Sequence, residues 1–177
     1  MKQKSLEVRV MKFSVGYQAA VWSEEGLYAL GFPKESPEAA LADLELQGIE
    51  SPLSPQTTRE KKLEEELTRY WKGEKVTFLT AVDLSDYTPF RRKALEACAE
   101  IPYGALKSYG DLALIVDSPK ACRAIGGAMG ANRTPIVIPC HRVIGSSGTL
   151  TGFAGGMAMK RQMLELEKVM LKGERVR

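Results

Sequence analysis

The chain has 177 residues and a formal net charge of +3, which is enough length to bury a core in one domain or in two small ones. It has no run of about 18 apolar residues and no apolar signal segment at its N-terminus, so we expect a soluble, cytoplasmic protein with no membrane partner. Three cysteines without a close pair exclude a closed disulfide framework and favour a reducing compartment.

The small net charge hides a difference between the two halves of the chain. Residues 1–88 carry a net charge of −4, whereas residues 89–177 carry +7. A positive field concentrated in one module is suited to a polyanion such as nucleic acid, although a basic face that only contacts water is commoner. The order of the predicted elements supports a boundary close to this point, with domains at residues 1–86 and 87–177.

The first domain is expected to be a small α/β unit that supports the second one. Its apolar residues 7–22 lack a helical period, and a turn at residues 24–26 predicts a hairpin. Further patterns predict two helices and then a strand, at residues 37–47, 57–71 and 76–82. This domain shows no pattern that indicates chemistry.

The second domain begins with three predicted helices whose ends are clearly marked. Thr88 caps a helix that should end before Pro102. Ser108 opens a short helix that ends by Val116, and another helix is predicted over residues 119–130. Two short helices joined by a tight turn are typical of the helix-turn-helix of DNA-binding proteins.

The last of these helices is rich in glycine and alanine. Its three glycines each cost about 1 kcal/mol relative to alanine, so another requirement must outweigh this cost. A surface of small residues lets the helix approach another backbone closely, and either a narrow DNA groove or a neighbouring protein helix fits that description. Arg123 projects from the same helix, although most helical arginines only contact water.

A candidate nucleophile lies at Cys140, which precedes the one histidine of the chain, His141. Only the thiolate of cysteine is a strong nucleophile, and a nearby imidazole can take the proton directly or through one water. Pro139 restricts the backbone, so we expect Cys140 at the end of a stiff strand over residues 135–139. The alternative for an arbitrary pair of this kind is a buried structural cysteine beside a surface histidine.

The segment after this pair completes the predicted domain. A strand over residues 142–144 is expected to turn at residues 145–148 into a hairpin, which is followed by a glycine-rich loop. A helix is then predicted over residues 157–169, and it carries Glu167. A helix-turn-helix followed by a hairpin is a winged-helix arrangement.

Five short motifs follow one another across roughly residues 87–170. They are Ile101-Pro102-Tyr103-Gly104, Ser108-Tyr109-Gly110-Asp111, Arg123-Ala124-Ile125-Gly126 with Asn132, Pro139-Cys140-His141-Arg142-Val143, and the glycine-rich loop. With them the second domain resembles the O6-alkylguanine-DNA alkyltransferases, which are DNA-repair proteins that react once. The resemblance implies a winged-helix fold for this domain. It also implies a ribonuclease H-like fold for the first domain, which matches the family in size and α/β character.

The resemblance implies a role for each matching residue of the site. Cys140 would accept the alkyl group, His141 would be the base that acts through a water, and Glu167 would orient the imidazole. Asn132 would brace the turn ahead of Cys140, and Tyr109 would donate a hydrogen bond to the guanine. The further contacts carried over in this way are Val143, Phe153 and Ala154 with Tyr109 for the substrate, and Arg123, Ala121, Gly127 and Ser146 for DNA.

The implied reaction is the transfer of an alkyl group, chiefly methyl, from O6-alkylguanine in double-stranded DNA, with O4-alkylthymine as a further candidate substrate. The helix-turn-helix of a monomer would contact the minor groove, the damaged nucleotide would flip out, and Arg123 would fill the gap. A thioether is a poor leaving group, so each molecule would react once. We expect no cofactor and no metal, since the spacings of the cysteines are too wide for a typical zinc site.

Two residues depart from the family pattern, and two other functional classes stay open. Phe153 stands where the family usually has tyrosine, and Ala154 stands where some members have serine, so side-chain hydroxyl contacts are lost there. A winged-helix regulator without chemistry predicts sequence-selective DNA binding. A cysteine hydrolase with the same cysteine, histidine and glutamate predicts repeated turnover of an ester or peptide.

Overall fold

The computed structural model describes residues 4–44 and 56–176, and the chain divides into two compact units, Met1–Asp86 and Tyr87–Arg177. Both units contain helices and strands, so the fold is of mixed α and β content. No helix in the described ranges is long and apolar enough to cross a membrane.

The first unit contains a three-stranded antiparallel sheet in the order β1-β2-β3. Its strands are β1 (Glu7–Phe13), β2 (Gly16–Trp22) and β3 (Leu27–Leu30). The predicted hairpin is confirmed, since the Ser23 backbone nitrogen donates to the Gly26 oxygen at 2.9 Å between two paired strands. Val8, Val21 and Ala29 come from the three strands and form one buried cluster, because alternate side chains of a strand share a face.

Two helices complete the described part of this unit, α1 (Pro37–Asp43) and α2 (Thr58–Trp71). The helix predicted over residues 37–47 ends earlier, and residues 45–47 lie outside the described residues. α2 confirms its prediction: the Glu60 carboxylate accepts a hydrogen bond from the Thr57 backbone nitrogen at 2.7 Å and closes the first turn. Its apolar face is buried and includes Leu63, Leu67, Tyr70 and Trp71.

The strand predicted over residues 76–82 is wrong. Within this segment a single β-bridge forms, between Val82 and Leu27. The carboxylate of Glu66 on α2 accepts a hydrogen bond from the Leu79 backbone nitrogen at 2.8 Å. The backbone nitrogen of Leu79 is therefore satisfied by a helix side chain and not by a strand.

The helices of the second unit are α3 (Pro89–Ala99), α4 (Tyr109–Ile115), α5 (Cys122–Gly130) and α6 (Met157–Leu166). The starts of α3 and α4 are confirmed, with Thr88 and Ser108 as their N-caps. The Ser108 hydroxyl accepts from the Asp111 nitrogen at 3.0 Å, and the Asp111 carboxylate accepts from the Ser108 nitrogen at 2.7 Å. α5 packs against both α3 and α4.

The start predicted for α5 at residue 119 is wrong. The Ala121 backbone nitrogen donates to the Ser118 oxygen at 2.8 Å, so residues 118–121 form a turn and α5 begins at Cys122. The chain reaches this turn through Asp117, whose φ of 57° is left-handed. The Ser118 hydroxyl donates back to the Val116 oxygen instead of capping the helix.

The strand predicted over residues 135–139 is also wrong, because the chain makes a turn there. The Ile138 nitrogen donates to the Thr134 oxygen at 2.9 Å. Ile136 has a φ of 75°, a conformation that is rare for a β-branched residue and that interrupts an extended ladder. A short 3₁₀ helix follows at Cys140–Arg142.

Two small two-stranded sheets lie in the second unit. Their strands are β4 (Lys107–Ser108) with β5 (Val143–Ile144), and β6 (Leu171–Lys172) with β7 (Arg175–Val176). The turn predicted at residues 145–148 is confirmed, since the Gly148 nitrogen donates to the Gly145 oxygen at 3.0 Å, but the antiparallel strand pairing predicted across it is wrong, because β5 pairs in parallel with β4. The Leu150 nitrogen, just past the turn, donates instead to the Glu174 oxygen at 2.8 Å. Leu150 lies in a buried cluster with Ile144, Leu164 and Val169, and this packing accounts for the different pairing.

Candidate active site

Cys140 is presented by a fixed backbone and is 7% exposed. Pro139 has φ −81° and ψ 62°, and the Cys140 nitrogen donates to the Ile138 oxygen at 2.8 Å, which together form an inverse γ-turn. Pro139 therefore restricts the backbone before Cys140 as expected, but it does so within a turn and not at the end of a strand. Only a small part of the thiol side chain reaches the surface.

Asn132 connects this turn to the thiol. Its side-chain nitrogen donates to the Ile138 oxygen at 2.9 Å and to Cys140 Sγ at 3.2 Å. Its side-chain oxygen accepts from the Thr134 nitrogen at 3.0 Å. A donor to sulfur favours the thiolate over the neutral thiol, so Asn132 contributes to ionisation as well as to positioning.

His141 and Glu167 form a buried pair next to Cys140 in sequence. His141 Nε2 lies 2.6 Å from Glu167 Oε1, and both side chains are fully buried. Burial lowers the pKa of His141, although the hydrogen bond and charge of Glu167 oppose that change. The imidazole is therefore neutral near pH 7, with the hydrogen on Nε2 donated to the carboxylate and with Nδ1 as the basic nitrogen.

Arg142 also holds the carboxylate of Glu167, at both of its oxygens. Its Nε donates to Oε2 at 2.9 Å and its Nη2 donates to Oε1 at 3.0 Å, while the Gly104 nitrogen donates to Oε2 at 3.0 Å. Burial raises the pKa of Glu167, but the hydrogen bonds and charges of His141 and Arg142 outweigh burial and lower it to about 2. Glu167 is therefore ionised and fixed in position.

Glu167 owes its position to the end of α6. The helix predicted to continue to residue 169 ends at Leu166, with Glu167 as its C-cap, because Lys168 adopts a left-handed φ of 62°. The Tyr103 hydroxyl donates to the Leu166 oxygen at 3.0 Å. The carboxylate thus projects from a capped helix end and not from a helical turn.

Lys160 is a further site residue that the sequence analysis missed. It is fully buried, and its ammonium donates to the Val143 oxygen at 2.7 Å and to the Thr151 oxygen at 3.0 Å. Burial lowers its pKa to about 8, and the attraction of Cys140 and Cys98 in their ionised forms opposes this change. A signal was present, since Lys160 shares the helical stripe of the buried Met163 and Leu164 at i, i+3 and i+4.

The electrostatic surroundings of Cys140 act in opposite directions. Burial raises the pKa of its thiol, whereas the Asn132 hydrogen bond, the Lys160 charge and the backbone N–H groups of Cys140 and His141 lower it. Burial is the larger effect, so the resting thiol is protonated near pH 7. The groups that would stabilise a thiolate nevertheless surround the sulfur before any reaction.

The residues expected at the substrate differ in how they are placed. Tyr109 is the first residue of α4, and its hydroxyl oxygen accepts a hydrogen bond from Thr151 Oγ1 at 3.0 Å. Val143 is fully buried, Ala154 is exposed, and the partly buried Phe153 ring lies 6.0 Å from Lys160 Nζ. Lys160 thus lies near the ring of Phe153 in the glycine-rich loop and also acts on the Cys140 thiol through its charge.

The four residues expected at DNA lie on the surface of the second unit. Arg123 and Gly127 are exposed on α5, Ala121 is its partly buried N-cap, and Ser146 is exposed in the turn after β5. A Cβ built on Gly127 would meet nothing within 4 Å, and the same holds for Gly130. Within the described residues, these two glycines therefore do not serve the packing of a neighbouring protein helix.

No group of three or more His, Cys, Asp or Glu side chains within residues 4–44 and 56–176 is arranged to hold a metal ion.

Comparisons with known proteins identify the family. Residues 89–169 match the family model described as 6-O-methylguanine DNA methyltransferase, DNA binding domain. The methylated-DNA–protein-cysteine methyltransferase of Haemophilus influenzae is 48% identical over 101 residues, which cover 57% of this chain and 56% of that relative. The chain is thus matched to little more than half the length of this curated relative.

Solved structures extend the similarity to nearly the whole chain. The crystal structure of Mycobacterium tuberculosis O6-methylguanine methyltransferase is 33% identical, covers 93% of both chains and has a TM-score of 0.71. A structure of the M. tuberculosis protein in complex with DNA is 32% identical, covers 92% of this chain and 93% of that one, and has a TM-score of 0.73. On these matches, the chain belongs to the O6-methylguanine-DNA methyltransferase family.

Proposed function

We propose that this protein repairs DNA by transferring the alkyl group of O6-alkylguanine, chiefly methyl, onto Cys140 in one irreversible reaction per molecule. The observation that carries the proposal is the hydrogen-bonded set around the thiol, in which Asn132 contacts Sγ and His141 is bound to an ionised Glu167. The names of the relatives support the same chemistry.

The first step is ionisation of the thiol. His141 Nδ1 takes the proton of Cys140 through one water, while Nε2 keeps its hydrogen bond to Glu167 and the carboxylate stabilises the imidazolium. Lys160 and Asn132 stabilise the thiolate that forms. The carboxylate does not take up the proton, because Arg142 holds its pKa low.

The second step is displacement at the alkyl carbon. The thiolate lone pair forms the new sulfur–carbon bond, the carbon–O6 bond breaks, and its electron pair leaves with the guanine. Tyr109 donates a hydrogen bond to a ring nitrogen of the departing guanine, and the backbone near Ala154 faces O6. The product is a thioether, which is a poor leaving group, so the Cys140 thiol is not regenerated and the protein is consumed.

DNA binding is assigned to a winged-helix second domain at residues 87–177. α5 enters the minor groove with Ala121 and Gly127 as close-approach positions, Ser146 contacts the backbone, and Arg123 fills the gap left by the flipped nucleotide. The few base-reading side chains on α5 predict weak sequence preference, which separates this proposal from a sequence-selective regulator. Binding should weaken as the salt concentration rises.

The first domain, residues 1–86, is proposed to be a ribonuclease H-like unit that supports the second. The protein is proposed to act as a monomer without a cofactor or metal. O4-alkylthymine is a further candidate substrate. All three cysteines are free, which supports action in a reducing compartment such as the cytoplasm.

The test is transfer of label from duplex DNA that carries O6-[methyl-³H]methylguanine. We expect one label per chain, located on Cys140, and no label on a Cys140→Ser variant. After proteolysis the label should lie on the peptide that contains Cys140 and not on the peptides that contain the other two free cysteines, Cys98 and Cys122. Absence of protein-bound label, or label that persists in Cys140→Ser, contradicts the proposal.

A further inference from the structure

We infer that Thr151 is a positioning residue for the transfer, because it is hydrogen-bonded both to the leaving-group donor Tyr109 and to the cation Lys160. The inference rests on the proposed function. The Thr151 hydroxyl donates to Tyr109 Oη at 3.0 Å, and the Thr151 carbonyl oxygen accepts from Lys160 Nζ at 3.0 Å. One residue thus connects the side of the site that receives the guanine with the side that holds the thiol.

The direction of the first hydrogen bond determines what Tyr109 can do. A tyrosine hydroxyl has a single hydrogen to donate and lone pairs that accept. Because Thr151 occupies a lone pair of Tyr109, the hydrogen of Tyr109 is directed to another acceptor, and in the complex that acceptor is the guanine. A hydroxyl that accepts a hydrogen bond donates a stronger one in turn. The stabilisation that Tyr109 gives to the leaving base therefore grows as negative charge develops on that base.

The conformation of Thr151 is restrained at its carbonyl group and at its hydroxyl group. Lys160, which is fully buried and also bound to the Val143 oxygen at 2.7 Å, fixes the carbonyl group. The hydroxyl is bound to Tyr109 Oη at 3.0 Å. With its carbonyl group held, a β-branched side chain has few rotamers, and the observed one directs the hydroxyl toward Tyr109.

Thr151→Val tests the hydroxyl alone. Valine keeps the branched shape and the carbonyl group that binds Lys160, and it removes the donor to Tyr109. At saturating methylated duplex, the single-turnover rate constant should fall about tenfold, the loss expected for one hydrogen bond made to a charged transition state. The DNA concentration that gives half the maximal rate should not change. Thr151→Ser restores the hydroxyl and should recover most of the rate.

Two further measurements separate positioning from a general effect on the fold. Thr149→Val makes the same change two residues earlier, where the hydroxyl contacts Ser147, and it should transfer at the unmodified rate. The reaction of Cys140 with a small aromatic disulfide should be equal in Thr151→Val and the unmodified protein, since it needs the thiol and Lys160 but not Tyr109.

A double-mutant cycle with Tyr109→Phe decides whether Thr151 acts through Tyr109. Once the tyrosine hydroxyl is removed, Thr151→Val should cause no further loss of rate. An equal loss in both backgrounds, or an unimpaired Thr151→Val, overturns the inference while leaving the proposed function intact. Failure of the unmodified protein to accept any methyl group contradicts the proposed function itself, and the inference about Thr151 falls with it.

Discussion

Each unit of the protein buries a carboxylate that is held ionised, and the two differ in the partners that surround it. In the first unit Asp83 is 1% exposed and contacts Ser23 Oγ at 2.6 Å, the Ser85 nitrogen at 2.9 Å and Lys4 Nζ at 2.9 Å. Burial raises the pKa of Asp83, but the hydrogen bonds of Ser23, Ser85 and Lys4 outweigh burial and lower it. In the second unit Glu167 is bound by Arg142, the Gly104 nitrogen and His141.

The difference lies in whether a partner changes its protonation state near neutral pH. Hydroxyl groups and a lysine ammonium keep their hydrogens there, so the Asp83 cluster only holds the chain together. An imidazole exchanges its proton in this range, and the imidazole bound to Glu167 belongs to the residue next to Cys140. A lowered pKa of a buried carboxylate therefore indicates function only when a proton carrier and a nucleophile adjoin it.

The largest expected effect comes from neutralising each carboxylate in turn. Glu167→Gln should slow methyl transfer by about 100-fold or more, because the imidazole loses the charge that stabilises its protonated form. Asp83→Asn should lower the free energy of unfolding by about 3 kcal/mol, since it breaks a buried charge cluster, while the folded protein transfers at the unmodified rate. Single-turnover kinetics and urea denaturation measure the two quantities. A comparable loss of rate in both variants would remove the distinction between the units.

A loss of stability of similar size to that of Asp83→Asn is expected from acid. Glu167 has a pKa of about 2 in the folded protein, against about 4.5 in the unfolded chain, so its contribution is complete above pH 4.5 and is lost as the pH falls toward 2. The loss should be about 3 kcal/mol of unfolding free energy. Glu167→Gln should lack this component, and Asp83→Asn should retain it. Denaturant titrations between pH 5 and pH 2.5 check the result, and identical pH slopes in the unmodified protein and Glu167→Gln would contradict it.

The smallest effect concerns Lys160, a buried charge on the second unit that acts on a thiol. Lys160→Met should slow transfer about tenfold and move the pH at which the rate is half-maximal upward, because the thiolate loses a nearby cation. Lys172→Met removes an exposed lysine of the same unit and serves as the control. A rate profile of Lys160→Met that coincides with that of Lys172→Met would show that the buried ammonium does not act on the thiol.

The parts of the structure that were predicted correctly depend on neighbouring residues. The caps at Thr88 and Ser108 are local hydrogen bonds, so a few residues are enough to reveal them. Cys140 and His141 are consecutive, which makes a possible nucleophile and base visible without any fold. The charge difference between the two halves also needs no structure.

The parts that were missed are an unusual backbone conformation, a long-range strand pairing and the burial of a charge, which local sequence preferences do not indicate. The turn before Cys140 requires a left-handed Ile136, which no propensity favours and which Asn132 helps to hold. β5 pairs with a strand more than thirty residues earlier and not with its sequence neighbour. A lysine is placed on the surface by default, so only the packing of Met163 and Leu164 beside it indicates that Lys160 is buried.

The placement of Lys160 on α6 and of Glu167 at its C-cap has a consequence for changes in the length of this helix. The two residues are seven positions apart, so the last turns of α6 set the spacing between the buried ammonium and the carboxylate at about 10 Å along the helix axis. Deleting or inserting a single residue between them would rotate one group by about 100° and leave the other in place. The length of α6 between these two positions is therefore constrained together with the identity of the two residues.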